Sequence, residues 1–452
     1  MEKQNEQKKT SNWFTSTITG RMLVIAVLLL AFFIPLTSIQ HLINERSDRQ
    51  KETIKTINEK WGNDVTIYGP ILKVPYKTFK TKKLVNDSDN SSITEQQEII
   101  NYAYFFPENL KIEGNINPKE KYYGIYKTAV YESNLVLSGN FEKPSFSEVE
   151  VSNENILWDK ARVILQLSNL KGVNNSMNIN FLKNTYAFSS KYSKEDRTYN
   201  MHSLESSPIN LKSMINENNT FSIDLSVKGS ESIQFIPIGK ETTAHIQSKW
   251  KNAHFFGEYL PFNEDKISEN GFDAKWKVLA INRPFSQQYY NQIPVLLKYA
   301  GGISFIIPVD EYQKNERSAK YGFLVIALTF LSFFLIQTWS KIYIHPFQYV
   351  MIGMALVMFY TLLLSISEHS TFSKAYLIAS IAVISLITLY SRSILKKWKF
   401  PALISMSLLS IYTFIFIIIR LENYALLVGS IGLFVILALV MYASKKIDWS
   451  IG

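Results

Sequence analysis

The chain has 452 residues, enough for two or three domains, and contains 47% hydrophobic and 19% charged residues. Its formal net charge is +10, but no arginine stripe or nucleic-acid motif accompanies this excess, so nucleic acid is not an expected partner. The chain contains no cysteine, which excludes disulfides, thiolate catalysis and cysteine-based zinc sites.

The average composition conceals two different regions. From about Glu45 to Ala319 the sequence is polar and rich in Asn, Ser, Lys and Glu. From Tyr321 onward it is dominated by Ile, Leu, Val, Phe, Met and Ala. The second region has the composition of a membrane bundle, so the lipid bilayer is the first expected partner.

Six apolar runs are long enough for membrane-spanning helices, which need about 20 predominantly apolar residues. The first run, 22–39, follows a basic start. A cleaved signal peptide is the alternative, but the run is long and no small-x-small cleavage site follows it, so an uncleaved signal anchor is favoured. The other runs are 321–338, 347–366, 372–390, 401–419 and 424–443.

The charges beside these runs predict their direction. With a cytoplasmic N-terminus, the short inner segments carry eleven basic residues and the short outer loops carry two. This bias follows the positive-inside rule and places the polar domain outside the cytoplasm, in the periplasm of a Gram-negative cell. The inner residues are Lys3, Lys8, Lys9, Arg21, Lys341, Arg392, Lys396, Lys397, Lys399, Lys445 and Lys446, and the outer ones are Lys374 and Arg420.

The polar domain has the pattern of a β structure. Residues 44–62 extend the first span as a helix, and the pattern then changes to short strands. In 221–228, apolar and polar residues alternate with a period of two, which indicates a strand with one buried face. The stretches 133–142 and 161–172 are similar, so an antiparallel domain of one large or two smaller sandwiches is expected. Residues 82–97 are predicted to form a loop or hairpin tip, and Gly271 a special backbone position before Phe272 and Trp276.

Polar residues between the third and fourth spans are the main candidate functional cluster. Glu368, His369 and Lys374 interrupt two apolar runs, and charges within the hydrocarbon layer are usually functional. A hydrated turn is the alternative, because water at a loop removes most of the cost of burying charge. His345 and Pro346, at the start of the third span, are a second hypothesis: a docking site for a cytoplasmic partner.

No recognisable catalytic or cofactor motif accompanies these residues. The six histidines show no HExxH pair or other metal-ligand spacing, and neither a GxSxG elbow nor a GxxxxGK[ST] phosphate loop occurs. We therefore expect no catalytic residues, no metal site and no cofactor. The proposed spans carry no charge near their middles, which weakens a transporter interpretation without excluding it.

Several stretches resemble one family over nearly the whole chain. They are "GPILKVP" at 69–75, "FFGEYLP" at 255–261, "DEYQKNERSAKYGFLVIALTF" at 310–330, "HPFQY" at 345–349 and "GMALVMFYTLLLSISEH" at 353–369. The sequence is similar to the CreD family of inner membrane proteins, also called the cell envelope integrity protein family. The resemblance implies a large periplasmic domain and a link to envelope integrity and to the response controlled by the CreBC two-component system. For some members it implies links to β-lactam tolerance and colicin sensitivity. It implies no established enzymatic activity and no agreed ligand.

Together these observations predict an α+β membrane protein of the inner membrane. Its parts are a cytoplasmic N-terminus (1–21), a first transmembrane helix (22–39), a sandwich-like antiparallel periplasmic domain (40–319), a five-helix transmembrane bundle (320–443) and a cytoplasmic C-terminus (444–452). The expected function is non-enzymatic binding or scaffolding of a periplasmic or inner-membrane envelope protein during envelope stress. The alternatives are a transporter or lipid-handling bundle with a periplasmic adaptor, and a cryptic periplasmic hydrolase.

Overall fold

The structure is a computed structural model that describes residues 18–85, 92–191, 201–215, 219–305, 307, 311–340, 342–395, 397–421 and 424–445. The chain divides into two compact units. One, here called the helical unit, comprises Met1–Lys51 and Val309–Gly452, and the other, the β-rich unit, comprises Glu52–Pro308. The predicted termini lie largely outside the described residues, as do Lys341 and Lys396.

Long apolar helices dominate the helical unit, as predicted. Among the described residues, six helices are long and apolar enough to cross a membrane, the first of them continuing as a polar helix to Trp61. A short seventh helix, Glu311–Lys320, was not predicted. The helices are α1 (Ile18–Trp61), α2 (Glu311–Lys320), α3 (Gly322–Ser340), α4 (Pro346–Ser367), α5 (Phe372–Ile394), α6 (Lys399–Arg420) and α7 (Ala425–Ser444).

Helix α2 is polar on average but amphipathic. Its buried residues, Tyr312, Asn315, Ser318 and Ala319, recur at a spacing of three to four and form one stripe of the helix. This stripe packs against the helices that follow it in the chain, α3 to α6. Residues that the polar composition assigned to the β domain therefore belong to the helical unit.

The β-rich unit contains one continuous path of hydrogen-bonded strands, so one domain replaces the alternative of two separate sandwiches. The strands are β1 (Val65–Val85), β2 (Ser92–Phe105), β3 (Asn109–Tyr123), β4 (Tyr126–Asn140), β5 (Arg162–Leu167), β6 (Asn178–Phe181), β7 (Asn184–Lys191), β8 (His202–Ser206), β9 (Thr220–Ser230), β10 (Ser232–Phe235), β11 (Glu241–Ser248), β12 (Ala253–Gly257), β13 (Ile267–Ser268), β14 (Gly271–Leu279), β15 (Gln288–Tyr290) and β16 (Gly301–Phe305). Their order in the sheet is β12-β16-β10-β1-β5-β8-β7-β6-β9-β4-β3-β11-β14-β13, with β2 paired to β1 and β15 paired to β2.

Most neighbouring strands are antiparallel, as the sequence predicted, but β1 runs parallel to β10 and β3 runs parallel to β11. The predicted hairpin tip is shorter than expected, because β1 continues to Val85 and β2 already begins at Ser92. The residues between them, 86–91, lie outside the described part of the chain.

The predicted alternation in β9 is confirmed. Phe221, Ile223, Leu225 and Val227 are all buried in one core, and each such side chain contributes roughly 1.5–3 kcal/mol relative to an exposed position. Gly271 has a φ of +128°, and a Cβ there would lie 2.0 Å from the carbonyl oxygen of Ser248. Only glycine fits this turn, which directs the following strand into the core.

Candidate functional site

Glu368, the first predicted site residue, lies in a network within the helical unit. It is the C-cap residue of α4, and its side chain is 15% exposed. Tyr312 donates a hydrogen bond from its hydroxyl to Glu368 Oε1 over 3.1 Å. The guanidinium Nε of Arg46 lies 3.9 Å from the same oxygen. One carboxylate therefore contacts side chains from α1 and α2.

Two further contacts complete this Glu368 network, which we define as Arg46, Glu311, Tyr312, Asn315, Ser367 and Glu368. Glu311 Oε2 accepts a hydrogen bond from the backbone N–H of Phe372, the first residue of α5, over 2.9 Å. Asn315 donates from Nδ2 to Ser367 Oγ over 2.7 Å. A carboxylate at a helix N-terminus is favourable, because it satisfies an unpaired N–H and interacts with the helix dipole. The network thus joins the ends of α4 and α5 to α2.

The other two residues of the predicted cluster lie outside this network. His369 and Lys374 are both exposed, and among the described residues neither side chain has a hydrogen bond or an ion pair to Glu368. The structure therefore brings Glu368 together with Arg46 and Tyr312, which sequence reasoning did not select. Their contacts come from residues 322 and 56 positions away in the chain, so no local pattern could have indicated them.

His345 and Pro346 form the start of α4. His345 is its N-cap residue and accepts a hydrogen bond at Nδ1 from the backbone N–H of Phe347 over 3.2 Å. Gln348 accepts in return from the backbone N–H of His345 over 2.9 Å. Pro346 occupies the first helical turn, where its missing N–H costs nothing. These contacts give both residues a role in starting the helix, while docking of a partner stays a prediction.

The β-rich unit contains a second polar site, which the sequence analysis missed. Here a cavity of about 240 Å³ is lined by residues of β1, β2, β5, β7 and β8 and by the segment 292–297. We call it the Lys73 pocket. Its polar side chains include Lys73, Gln166, Lys191, Ser203 and Glu205.

The carboxylate of Glu205 is the centre of this pocket. Lys73 Nζ lies 2.8 Å from Glu205 Oε1, and Lys191 Nζ lies 3.3 Å from Oε2. Arg162 Nε lies 3.9 Å from Oε2, while its Nη1 donates to the carbonyl of Ser206 over 2.7 Å. Burial raises the pKa of Glu205, but the hydrogen bond and charge of Lys73, supported by Lys191, outweigh it and hold the pKa below its usual value.

Lys73 is itself a signal that could have revealed this pocket. It is 9% exposed and interrupts the apolar run Ile71, Leu72, Val74. A charge in a buried strand needs a partner, so a lysine in this run predicts a carboxylate that the fold brings close to it. The side chain also lies over the ring of Tyr102, with Nζ 4.2 Å from the ring centroid.

Metal ligands do not form a comparable cluster. In the described part of the chain, no group of three or more His, Asp or Glu side chains could hold a metal ion. His245 contacts Asp273, with 3.0 Å between Nε2 and Oδ1, whereas His254 lies on β12. These two histidines are therefore surface residues of different strands.

Comparison with known proteins agrees with this architecture. The family described as "Inner membrane protein CreD" matches residues 17–450. The chain is also similar to the Inner membrane protein CreD of Escherichia coli (strain K12), with 27% identity over 431 residues, which cover 94% of this chain and 91% of that relative. Since the family match extends over almost the entire sequence and includes both units, the chain belongs to the CreD family of inner membrane proteins.

Proposed function

We propose that this inner membrane protein supports cell envelope integrity by binding an envelope component, without catalysing a reaction. The β-rich unit would act in the periplasm, and both termini would be cytoplasmic. The observation that carries this proposal is the Lys73 pocket, a cavity whose lining combines a charged cluster with apolar and aromatic side chains. Concave sites in which several polar groups converge beside apolar surface are typical of ligand-binding sites.

The distribution of basic residues supports the proposed orientation. Eleven basic residues in the inner segments against two in the short outer loops is the asymmetry that sets membrane topology. Alkaline phosphatase, which is active only outside the cytoplasm, tests this directly. A fusion after residue 200 is expected to be active and a fusion after residue 395 inactive, and the reverse pattern would overturn the orientation.

Binding is favoured over catalysis by the chemistry of the pocket. Both lysines in it form ion pairs with the carboxylate of Glu205, and the described lining residues include no histidine that could activate the hydroxyl of Ser203 as a nucleophile. A hydrolase screen on the detergent-purified full chain tests the alternative. Turnover that disappears in Lys73→Met and persists in Lys277→Gln would identify an enzyme and refute the proposal.

A crosslinking experiment tests the binding function in intact cells. A photoreactive amino acid at position 292, an exposed lining residue of the pocket, is expected to capture one discrete envelope component. The matched control is position 277, which is exposed on β14. The deletion strain must regain envelope integrity with the labelled protein, so that the product comes from a functional chain. Identical products from the two positions would refute specific binding at the pocket.

Glu368 has a positioning role in this proposal. Its contacts join helices rather than enclose a cavity, so we expect Glu368→Leu to impair complementation of an envelope-stress phenotype. His369→Ala and Lys374→Gln, which alter exposed residues, are expected to complement fully. Failure of His369→Ala would instead support a functional Glu368–His369 pair.

Lipid handling is the second candidate function, because the helical unit contains an apolar groove. The groove has a volume of about 540 Å³ and lies between α3, α6 and α7. Only three of its lining residues are polar, and two of these, Ser332 and Ser407, hydrogen-bond each other over 2.9 Å. Transfer of a fluorescent phospholipid between liposomes tests this function. A Cβ at Gly432 would lie 2.1 Å from Phe414 in the groove, so Gly432→Phe should block transfer and Gly429→Phe should not.

A further inference from the structure

The strand register places all the charged groups of the Lys73 pocket on one face of the sheet. Lys73 pairs with Arg162 on β5, and Ile164, two residues further along β5, pairs with Glu205 on β8. On the next strand, Lys191 pairs with Ser203. Because side chains alternate between faces with a period of two, these residues project to the same side. The cluster is therefore fixed by regular strands and not by loops.

The charges in this cluster do not balance. One carboxylate, that of Glu205, contacts three cations, at 2.8 Å for Lys73, 3.3 Å for Lys191 and 3.9 Å for Arg162. Among the described residues, Lys73 and Lys191 are the cations that line the cavity and Glu205 is the one acidic lining residue, so the lining has an excess of one positive charge, and Arg162 adds a second beside it. Lys73 and Glu205 are buried, whereas the side chain of Lys191 is 59% exposed. The excess positive charge of Lys191 is therefore accessible to an anion that enters from solvent, although water and salt screen it as at a surface. The pocket consequently attracts an anion.

The space beside these charges suits a small ligand with an apolar part. Ile164, Met201 and Leu296 contribute buried apolar surface, and the rings of Tyr68 and Tyr104 add aromatic surface. The hydroxyl of Tyr68 donates to the carbonyl of Pro294 over 2.8 Å, which ties segment 292–297 to the sheet. A cavity of about 150 Å³ is enough to hold benzene, so about 240 Å³ accommodates one ring together with an oxyanion.

We propose that the Lys73 pocket is an oxyanion-binding site, which takes the carboxylate or phosphate of a small ligand whose remainder is a short apolar or aromatic group. The oxyanion would contact the ammonium groups of Lys191 and Lys73, where charge-assisted hydrogen bonds are strong. This inference rests on the proposed binding function and deepens it, because it names the chemical group that the site recognises.

Three probe molecules of nearly equal size test the recognised group. Benzoate and phenyl phosphate carry the two oxyanions, and benzamide has the shape of benzoate without its charge. Binding to the purified full chain in detergent is measured by isothermal titration calorimetry. We expect saturable binding of at least one of the two anions and at least tenfold weaker binding of benzamide. The stronger of the two anions identifies the natural headgroup as a carboxylate or a phosphate.

Two variants of the cluster change the affinity in opposite directions. Lys191→Gln removes a cation and is expected to weaken binding of the anion at least fivefold. Glu205→Gln removes the competing carboxylate and is expected to strengthen it at least fivefold, since Lys73 and Lys191 then face the ligand without the negative charge of Glu205. The matched control is Lys277→Gln, because Lys277 has similar exposure and also pairs with a glutamate, at 3.0 Å. This control should bind the anion like the unchanged protein.

The comparison of Lys191→Gln with Lys277→Gln decides the outcome even if Glu205→Gln fails to fold. Equal affinities in Lys191→Gln and Lys277→Gln would overturn the proposal, and so would equal binding of benzoate and benzamide or no binding of either anion. A further check is ionic strength: raising salt from about 0.05 M to about 0.5 M should weaken binding of the anion and leave benzamide unaffected. Failure here would leave the crosslinking at position 292 unchanged, so the two proposals can fail separately.

Discussion

Replacing Glu205 with glutamine is expected to destabilise the β-rich unit more than replacing its partner Lys73 with methionine. The two residues share one short contact, 2.8 Å between Nζ and Oε1, but their other surroundings differ. Without Glu205, the three cations Lys73, Lys191 and Arg162 face one another. Without Lys73, the carboxylate keeps Lys191 at 3.3 Å and Arg162 at 3.9 Å.

The magnitudes follow from this asymmetry. Loss of one partner of a buried ion pair costs about 3–5 kcal/mol when the remaining charge is uncompensated, which is the situation of Lys73 in Glu205→Gln. A lost hydrogen bond to a charged group costs about 1.5–3 kcal/mol when other partners remain, which is the situation of Glu205 in Lys73→Met. The expected difference between the two variants is therefore about 1–3 kcal/mol.

Urea unfolding of the full chain in detergent, followed by pulse proteolysis, measures the free energy of unfolding of the β-rich unit. Lys277→Met is the control, since its exposed pair with Glu241 contributes about 0–1 kcal/mol. The double variant Lys73→Met/Glu205→Gln should cost less than the sum of the two single variants, because it leaves no unpaired partner. If Lys73→Met costs as much as Glu205→Gln, the carboxylate is not shared among three cations and the charge argument is wrong.

Three further predictions concern pH, helix packing and the Glu368 network. Because the pKa of Glu205 lies below its usual value, its carboxylate contributes stability that is complete above the unfolded pKa of about 4.3 and is lost as the pH falls through the lower folded value. The difference in urea midpoint between unchanged protein and Glu205→Gln should thus shrink between pH 7 and about pH 3, and a constant difference would contradict the assignment. Gly353→Ala should shorten the thermal half-life of the full chain in detergent, because its Cβ would lie 2.3 Å from the ring of Phe32. The control Gly429→Ala, whose Cβ would lie 3.9 Å from its nearest neighbour, should leave the half-life unchanged. Equal half-lives of the two variants would refute the importance of the contact with Phe32. Glu368→Gln should lower the stability of the chain by at most about 1 kcal/mol, because its ion pair with Arg46 is partly exposed. Glu368→Leu should lower the stability further, since it also removes the acceptor for the hydroxyl of Tyr312. Equal losses of stability on thermal melting would show that this acceptor contributes nothing.

The helices were largely predictable because their signal is local. A run of about 20 apolar residues specifies a span whatever the rest of the chain does, and all six predicted runs correspond to helices. Helix α2 was missed because only the buried stripe of Tyr312, Asn315 and Ser318 marks it, in a segment that is polar overall. A ten-residue amphipathic helix gives too few periodic positions to outweigh such a composition.

The sheet order was not predictable, because its decisive contacts are non-local. Alternation predicted which face of β9 is buried, but a period of two contains no information about the neighbouring strand. The parallel pair β1–β10 joins Val65 to Ile233, and the Lys73–Glu205 contact joins residues 132 positions apart. Contacts between residues so far apart in the chain depend on how the whole core packs, and neither segment determines them alone.

Glu368 and Glu205 show why a charged residue in an apolar setting is not by itself a sign of a ligand site. The Glu368 network contains two carboxylates and one guanidinium, and its hydrogen bonds end on helix termini and on a tyrosine hydroxyl. The carboxylates of this network are therefore paired with groups of neighbouring helices, which favours a structural role. Around Glu205 the imbalance is reversed, with three cations on one carboxylate and a cavity beside them. Positive charge that the fold does not neutralise is available to a ligand, so we propose the surroundings of Glu205, which the sequence analysis overlooked, and not those of Glu368 as the binding site.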